Sequence, residues 1–590
     1  MLDGVRINTS TDINAQFGLV NPADVARMEV LKGPISALYG SGALGGVVNV
    51  YTKKGDFTLD PEWHGSLTNT ISSNPEGVGT HADVTYSDDR LWVYGSGSFR
   101  DRDGFDDADG DEVRNSQFDD WHGKLRLGWR WNDANVTEVQ YLRHDANEIG
   151  VPGQGLALPV GPDVTYPDTT LDFWSLTHTY LPDSETWVES KLVLFHEIIQ
   201  RRARIDNFPT PAVAPPLAPV SIEPGADHTT YGAKWLNTFE VADHTLVAGV
   251  DWWTWSYEGE RIKRFFHTAS GTIKVGEDSP LADSEQTSIG IFAEDDWALL
   301  ENLTLNIGGR IDRIEAKSDA IYNWKTPPLP AIVRTMERDS ERFDDTSWTA
   351  QLGLAWTFRP DWSMTVLGAT GYRAPDLLDR FKYLNLGGVE LYGNPDLDPE
   401  RSLFFEWGVH YTGTDVRASA SVFHNSLDDM IAPVQTSATR QDMQNINKAR
   451  IYGAEFEAEW RATDECQLYG NIAYARGEDT DTDEDLRFVP PLNGLLGARY
   501  EHTSGWWSCL EAIWAANQSH TPTGVADTDA WIRLDAGVGY AFEAGKLRHT
   551  IQCRATNLTN TDYSDYLTTS RGIVLSEPGM GADLTWKMEF

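Results

Sequence analysis

No run of about eighteen apolar residues occurs anywhere in this 590-residue chain, so no transmembrane helix is supported. Cysteine is nearly absent. Cys466, Cys509 and Cys553 are odd in number and far apart, which leaves no CxxC or Cys/His spacing for a metal and no disulfide framework. One Cys466–Cys509 bridge between adjacent strands is the pairing left open. Positive charge is scarce, with 48 Lys and Arg against 89 Asp and Glu and a net charge of -41; such a surface repels nucleic acid. No G-x-S-x-G, H-E-x-x-H or Cys/His nucleophile spacing is present, so no catalytic residue is assigned and no enzyme is expected. Met1-Leu2-Asp3-Gly4 is not a charged segment followed by an apolar one, so no signal peptide is visible.

Aromatic residues are abundant: 23 Trp, 21 Tyr and 22 Phe, against a mean hydropathy of only -0.41. From about Trp63 onward the apolar residues alternate. Leu125, Leu127, Trp129 and Trp131 alternate with Arg126, Gly128 and Arg130; Leu303, Leu305, Ile307 and Ile311 with Thr304, Asn306, Arg310 and Asp312; Ile532, Leu534, Ala536, Val538, Tyr540 and Phe542 with Trp531, Arg533, Asp535 and Gly537. A period of two marks sheets with unlike faces. Sustained over some five hundred residues, it suits a membrane barrel that shows lipid on one face and water on the other. At roughly 24 residues per strand with its share of connections, the region from 63 onward has room for about 22 antiparallel strands, within the even numbers bacterial barrels use, but periodicity alone does not fix that number.

Irregular segments interrupt the alternation: 144–170, 206–230 with six prolines (Pro209, Pro211, Pro215, Pro216, Pro219 and Pro224), 319–346, 372–401, 475–491 and 561–577. They read as long loops on one rim. Much of the acid lies in such segments. Neither 101–111 nor 478–485 has the ligand spacing of a calcium EF-hand, so solvated, repulsive loops are expected there.

Residues 27–55 read Arg-Met-Glu-Val-Leu-Lys-Gly-Pro-Ile-Ser-Ala-Leu-Tyr-Gly-Ser-Gly-Ala-Leu-Gly-Gly-Val-Val-Asn-Val-Tyr-Thr-Lys-Lys-Gly. Met28 to Leu31 is a β-type run that Gly33-Pro34 breaks. One helical turn fits Ser36 to Tyr39. Gly40, Gly42, Gly45 and Gly46 permit close backbone approach or positive φ, and Val47, Val48 and Val50 open a second strand. The Lys and Ser/Thr of a phosphate-binding loop are absent after the last glycine.

This stretch resembles the end of the plug domain of TonB-dependent outer-membrane receptors, R-I-E-V-L-K-G-P-x-S-x-L-Y-G-x-x-A-x-G-G-V-I-N-I-x-T-K-K. The match runs through Arg27, Glu29, Lys32, Gly33, Pro34, Tyr39, Gly40, Gly45, Gly46 and Asn49. Leu2-Asp3-Gly4-Val5 resembles an earlier plug strand. Asn557-Leu558-Thr559-Asn560 with Tyr563 resembles the family's late N-L-x-N-x-x-Y element. The last strand carries Leu584, Trp586, Met588 and Phe590 on one face and ends in an aromatic residue, like the signal read by the outer-membrane assembly machinery.

The resemblance implies an all-β fold: residues 1–58 as the C-terminal part of a small α+β plug, and 59–590 as the barrel around it. It also implies that the chain begins inside the plug, with the TonB box and roughly the first half of the plug missing. The expected function is energised uptake of a scarce ligand across the outer membrane of a Gram-negative bacterium, with the TonB–ExbB–ExbD complex as partner where that N-terminus exists. No cofactor is expected, and the protein is expected to be a monomer surrounded by lipopolysaccharide. Lys32 matches a plug cation expected to pair with barrel carboxylates at Glu406 and Glu455, a lock between plug and wall, provided Trp407 and Phe456 face lipid. Tyr372-Arg373-Ala374-Pro375 with Asn394-Pro395-Asp396-Leu397 resembles a motif pair prominent in haem receptors. Residues 376–393 contain no His, so a ferric siderophore is the expected ligand, with haem, cobalamin, another metal chelate or a saccharide as alternatives. Tyr39, Tyr372, Arg373, Tyr383 and Tyr392 are candidate ligand contacts. A passive pore, or a surface adhesin or phage receptor, is the alternative from another class.

Overall fold

The structure, a computed structural model, describes residues 1–9, 18–34, 36–152, 162–208, 217–325, 333–386, 389–446, 448–569 and 574–590. Alternation does what it predicts. Twenty-two antiparallel strands pair in sequence and close where Glu62–Ser73 meets Gly581–Glu589. Closure leaves no unpaired edge around the ring. The outward face is apolar: Leu125, Leu127, Trp129 and Trp131 are exposed, as are Leu584, Trp586 and Phe590. Asp583 and Thr585 point the other way and bond Ser72 and Thr70 on the first strand. No helix among the described residues is long and apolar enough to cross a membrane; the strands cross it.

One rim carries two-residue turns such as 133–134, 242–243, 301–302 and 545–546, and the other carries the long connections. The wall is uneven in height. Asp163–Tyr180, Trp187–Asp206, Leu217–Val241 and His244–His267 run for 18, 20, 25 and 24 residues. Asn493–Glu501, Trp506–Ala515, Leu547–Thr556 and Gly581–Glu589, on the other side, have 9 or 10.

The tall side corrects the expected loop at 206–230. The sheet resumes at Leu217 and continues past 230. Proline is tolerated in a strand only where no ladder bond is required. Pro219 sits at a register shift against Phe265 and Arg264, and Pro224 falls where pairing to the preceding strand lapses between Ile222↔Ile205 and Gly225↔Arg202. Pro209, Pro211, Pro215 and Pro216 lie outside the described residues. Other expected loops are partly ordered. Leu377–Phe381 is a short helix capped by Asp376. Tyr383–Leu386, Val389–Tyr392, Met430–Ser437 and Arg440–Ile446 join two successive long loops into a four-stranded sheet.

The Cys466–Cys509 bridge that the sequence leaves open does not form. Cys466 pairs with Tyr500, whose other neighbour is Ser508, so a whole strand separates the two cysteines, roughly 9–10 Å. All three cysteines are free.

Inside the ring lies a separate antiparallel pair, β1 (Val25–Lys32) and β2 (Gly46–Thr52), with the helical turn Ser36–Tyr39 between them. Gly46 makes this hairpin possible. Its φ is +142°, and a Cβ there would run into the carbonyl oxygen of Leu31. Leu2, Val5 and Leu19 pack against Leu142, Leu171, Phe173 and Ile199 of the wall; this is the apolar part of the seam.

Candidate functional site: the seam between hairpin and wall

Of the expected lock, Lys32 and Glu455 are brought together as an ion pair. Both Trp407 and Phe456 are exposed on the outer face, which sends Glu406 and Glu455 inward. Glu406 stands two strands from Glu455, near enough to sense both charges. The Lys32 side chain is 60% exposed and that of Glu455 30%. A pair so hydrated contributes only about 0–1 kcal/mol.

The opposite end of β1 is held differently. Asn21 caps a short turn, Pro22–Asp24, by accepting from the Ala23 amide. The turn drives Asp24 into the wall, where it is fully buried. Tyr94 and Ser96 donate to its Oδ1 at 2.6 and 3.0 Å. Lys124 Nζ lies 3.0 Å and His122 Nε2 3.6 Å from Oδ2. Burial alone would raise this carboxyl, but the His122 contact, the Lys124 charge and the Tyr94 hydrogen bond hold it well below the usual carboxylate range. Lys124 also donates to the Lys53 carbonyl at 2.5 Å, while the Lys53 amide donates to the Asp24 carbonyl. Asn21 Nδ2 donates to Ser98 at 2.5 Å. Entry to β1 and exit from β2 are thus fastened at one place. The only local sign of this in the sequence is a carboxylate following an Asn-Pro cap.

A third polar contact lies near the middle of the seam. Arg310 bonds Asp251 and Asp312 at 2.6–2.7 Å, directly beneath Gly40. Lys234 donates to the Leu38 carbonyl.

Toward the long-loop rim the seam widens into a vestibule of about 570 Å³, lined by Arg6, Tyr39, Trp253, Trp255, Arg373 and Asp376 among others. Arg6 donates to the Ser41 carbonyl and its guanidinium lies 5.3 Å from the Trp253 ring centre. Burial, then the charges around it, push the Tyr39 phenol up to about 12, so it is a neutral donor. Arg373 is gripped by Glu400 and Asp379. Burial and the neighbouring Asp379 push the Asp376 carboxyl up.

Tyr39 and Arg373 therefore line the vestibule. Tyr372 and Tyr383 do not reach it, being 0% and 2% exposed. The first is sealed below the hairpin loop, where its carbonyl accepts from Gly42; the second bonds Glu390 inside the loop sheet. Tyr392 lies in that sheet beneath Arg440, 4.1 Å from its ring centre. Arg6, Trp253, Trp255 and Asp376 were not anticipated. No group of three His, Cys, Asp or Glu able to hold a metal occurs among the described residues.

A closed 22-strand antiparallel barrel with a hairpin docked in its lumen is the architecture of an outer-membrane transporter. The TonB-dependent receptor plug domain matches residues 1–47, and the TonB-dependent receptor-like β-barrel matches residues 46–558; the chain belongs to this family. It is a TonB-coupled transporter of the Gram-negative outer membrane and not an enzyme. An iron-regulated outer membrane virulence protein of Vibrio cholerae serotype O1 is 25% identical, the match covering 92% of this chain and 77% of that protein. Among solved structures, the copper transporter OprC superposes with a TM-score of 0.84 at 18% identity, covering all of this chain and 92% of that one. The ferric yersiniabactin uptake receptor FyuA from Yersinia pestis does so with 0.72 at 18% identity, covering 96% and 85%.

Proposed function

We propose that the transported ligand is a ferric siderophore held in the vestibule between hairpin and tall wall. The vestibule lining carries the proposal. Trp253, Trp255 and Tyr39 offer flat faces and a neutral hydroxyl, and Arg6 offers a guanidinium stacked over Trp253. That combination suits an iron chelate with planar or anionic ligand groups. The volume falls within the range of small-ligand sites. The iron-regulated relative and the ferric yersiniabactin receptor support the same class.

In this reading the TonB–ExbB–ExbD complex supplies the work. Lys32 and Glu455 form the contact that yields as the plug rearranges. The alternating last strand, with Leu584, Trp586, Met588 and Phe590, guides assembly, and lipopolysaccharide surrounds the tall rim. The test is a binding titration of the purified protein with a ferric hydroxamate, a ferric catecholate, haem, cobalamin and Cu²⁺. Saturable binding of a ferric siderophore, weakened by Arg6→Gln, is expected. Binding of haem, cobalamin or copper alone would overturn the assignment.

A further inference from the structure

We propose that Asp24 is the positioning residue that fixes the plug to the barrel, and that the hairpin rearranges about this point while its Lys32 end lets go. Four side chains from two neighbouring wall strands, Leu91–Arg102 and Phe118–Asn132, converge on one carboxylate: Tyr94 and Ser96 donate hydrogen bonds from the first, and Lys124 and His122 stand 3.0 and 3.6 Å away on the second. The Asp24 and Lys124 side chains are 1% and 0% exposed, so neither charge has water to fall back on. A buried pair of this kind resists separation because parting it strands both charges. The Lys32–Glu455 pair has water at hand on both sides and separates at little cost.

The fastening also closes on itself. Lys124 reaches the Lys53 carbonyl, Lys53 reaches the Asp24 carbonyl, and Asn21 reaches Ser98. The residues that begin β1 and those that follow β2 therefore share one anchorage, whereas the loop end of the hairpin is held to the wall by single hydrogen bonds, such as those from Lys234 to the Leu38 carbonyl and from Asn425 to the Leu44 carbonyl. That end meets the vestibule, where Ser41 accepts from the Ala374 amide and Gly42 donates to Tyr372. Movement there bears directly on whatever occupies the vestibule.

The experiment uses the full chain in outer membranes and needs no ligand. Two readouts are taken: amide hydrogen exchange across 25–32 and 46–52, and entry of a large hydrophilic antibiotic such as vancomycin. Heat-dependent gel mobility reports separately that the barrel is folded. Asp24→Asn is expected to accelerate exchange throughout the hairpin at least tenfold and to raise antibiotic entry severalfold. Lys32→Met is expected to leave both within twofold of the unaltered protein. Because Asp24→Asn leaves Lys124 buried alone, the double variant Asp24→Asn/Lys124→Met is expected to recover part of the lost protection. An oxidised Asn21→Cys/Ser98→Cys pair introduced into Asp24→Asn is expected to restore the seal, and reductant to abolish it again; this distinguishes fixation at a place from a general packing defect. The proposal is overturned if Lys32→Met opens the lumen while Asp24→Asn does not. It is also overturned if the 21–98 crosslink fails to restore protection on a folded barrel.

Discussion

Asp24 and Lys32, at the two ends of strand β1, sit eight residues apart and are held by opposite means. At Asp24 a carboxylate is buried among donors from two wall strands. At Lys32 a cation meets Glu455 in the open. Both are oppositely charged contacts between plug and wall, yet the first stands in a medium where separating charge is costly and the second does not. Tallying ion pairs would rank them equally; burial separates them by several kcal/mol. A seam with one hard end and one soft end opens in a definite direction.

Five substitutions and two changes of condition break or sharpen this contrast. Lys124→Met strands the Asp24 carboxylate and should destabilise seating of the hairpin by about 3–5 kcal/mol, as loss of one partner of a buried pair does; hydrogen exchange against urea concentration measures it. Gly46→Ala attacks the hairpin itself. At φ +142° with the Leu31 carbonyl in the way, a cost of roughly 1–3 kcal/mol is expected by the same measurement, spread over both ends.

The vestibule lies beside the soft end. There, Trp253→Ala should weaken siderophore binding about five- to tenfold in a fluorescence titration, the scale of one lost cation–π and stacking contact of roughly 1 kcal/mol. The same site should respond to pH. Asp376 is surrounded by Asp379, Arg373 and Lys382, and its carboxyl is pushed up. It therefore takes up a proton at a higher pH than a free Asp as the medium is acidified, removing a negative charge from the lining. An anionic chelate should bind more tightly as pH falls from about 7.5 toward 5, and Asp376→Asn should flatten that slope. In energetic terms, the protonated state favoured by the raised folded value is present at low pH and lost as pH rises, so loop order about Asp376 is greatest at the acid end. Lys32→Met should have the smallest effect, no more than about 1 kcal/mol, and 0.5 M salt should erase it in the unaltered protein as well.

The barrel was legible in the sequence because each strand carries its own evidence. Leu125 to Trp131 announce an outward face without reference to any neighbour, and the final strand does so again. The hairpin was legible through its glycines, Gly33 and Gly46 above all, since a backbone conformation closed to other residues leaves a mark in the chain. What could not be read depends on distant partners. Nothing in Asn21-Pro22-Ala23-Asp24 states that Tyr94 and Lys124 will meet it. Tyr372 and Arg373 are adjacent in one motif, yet one is sealed and the other lines the vestibule, because the hairpin loop covers one and not the other. The height of the wall around Leu217–Val241 was hidden for a different reason: prolines that break an isolated strand are harmless where the neighbouring ladder has already lapsed.

That uneven height has a topographic consequence. Along the chain, 25 residues of strand extend about 80 Å and 9 residues about 30 Å. Regular strand therefore rises far higher on one flank of the barrel than on the other. An approach over Leu217–Val241 and His244–His267 meets regular sheet first, whereas one over Trp506–Ala515 and Leu547–Thr556 meets loop connections first. A bulky object, such as an antibody or a phage fibre, meets the crest first, well before anything touches the mouth.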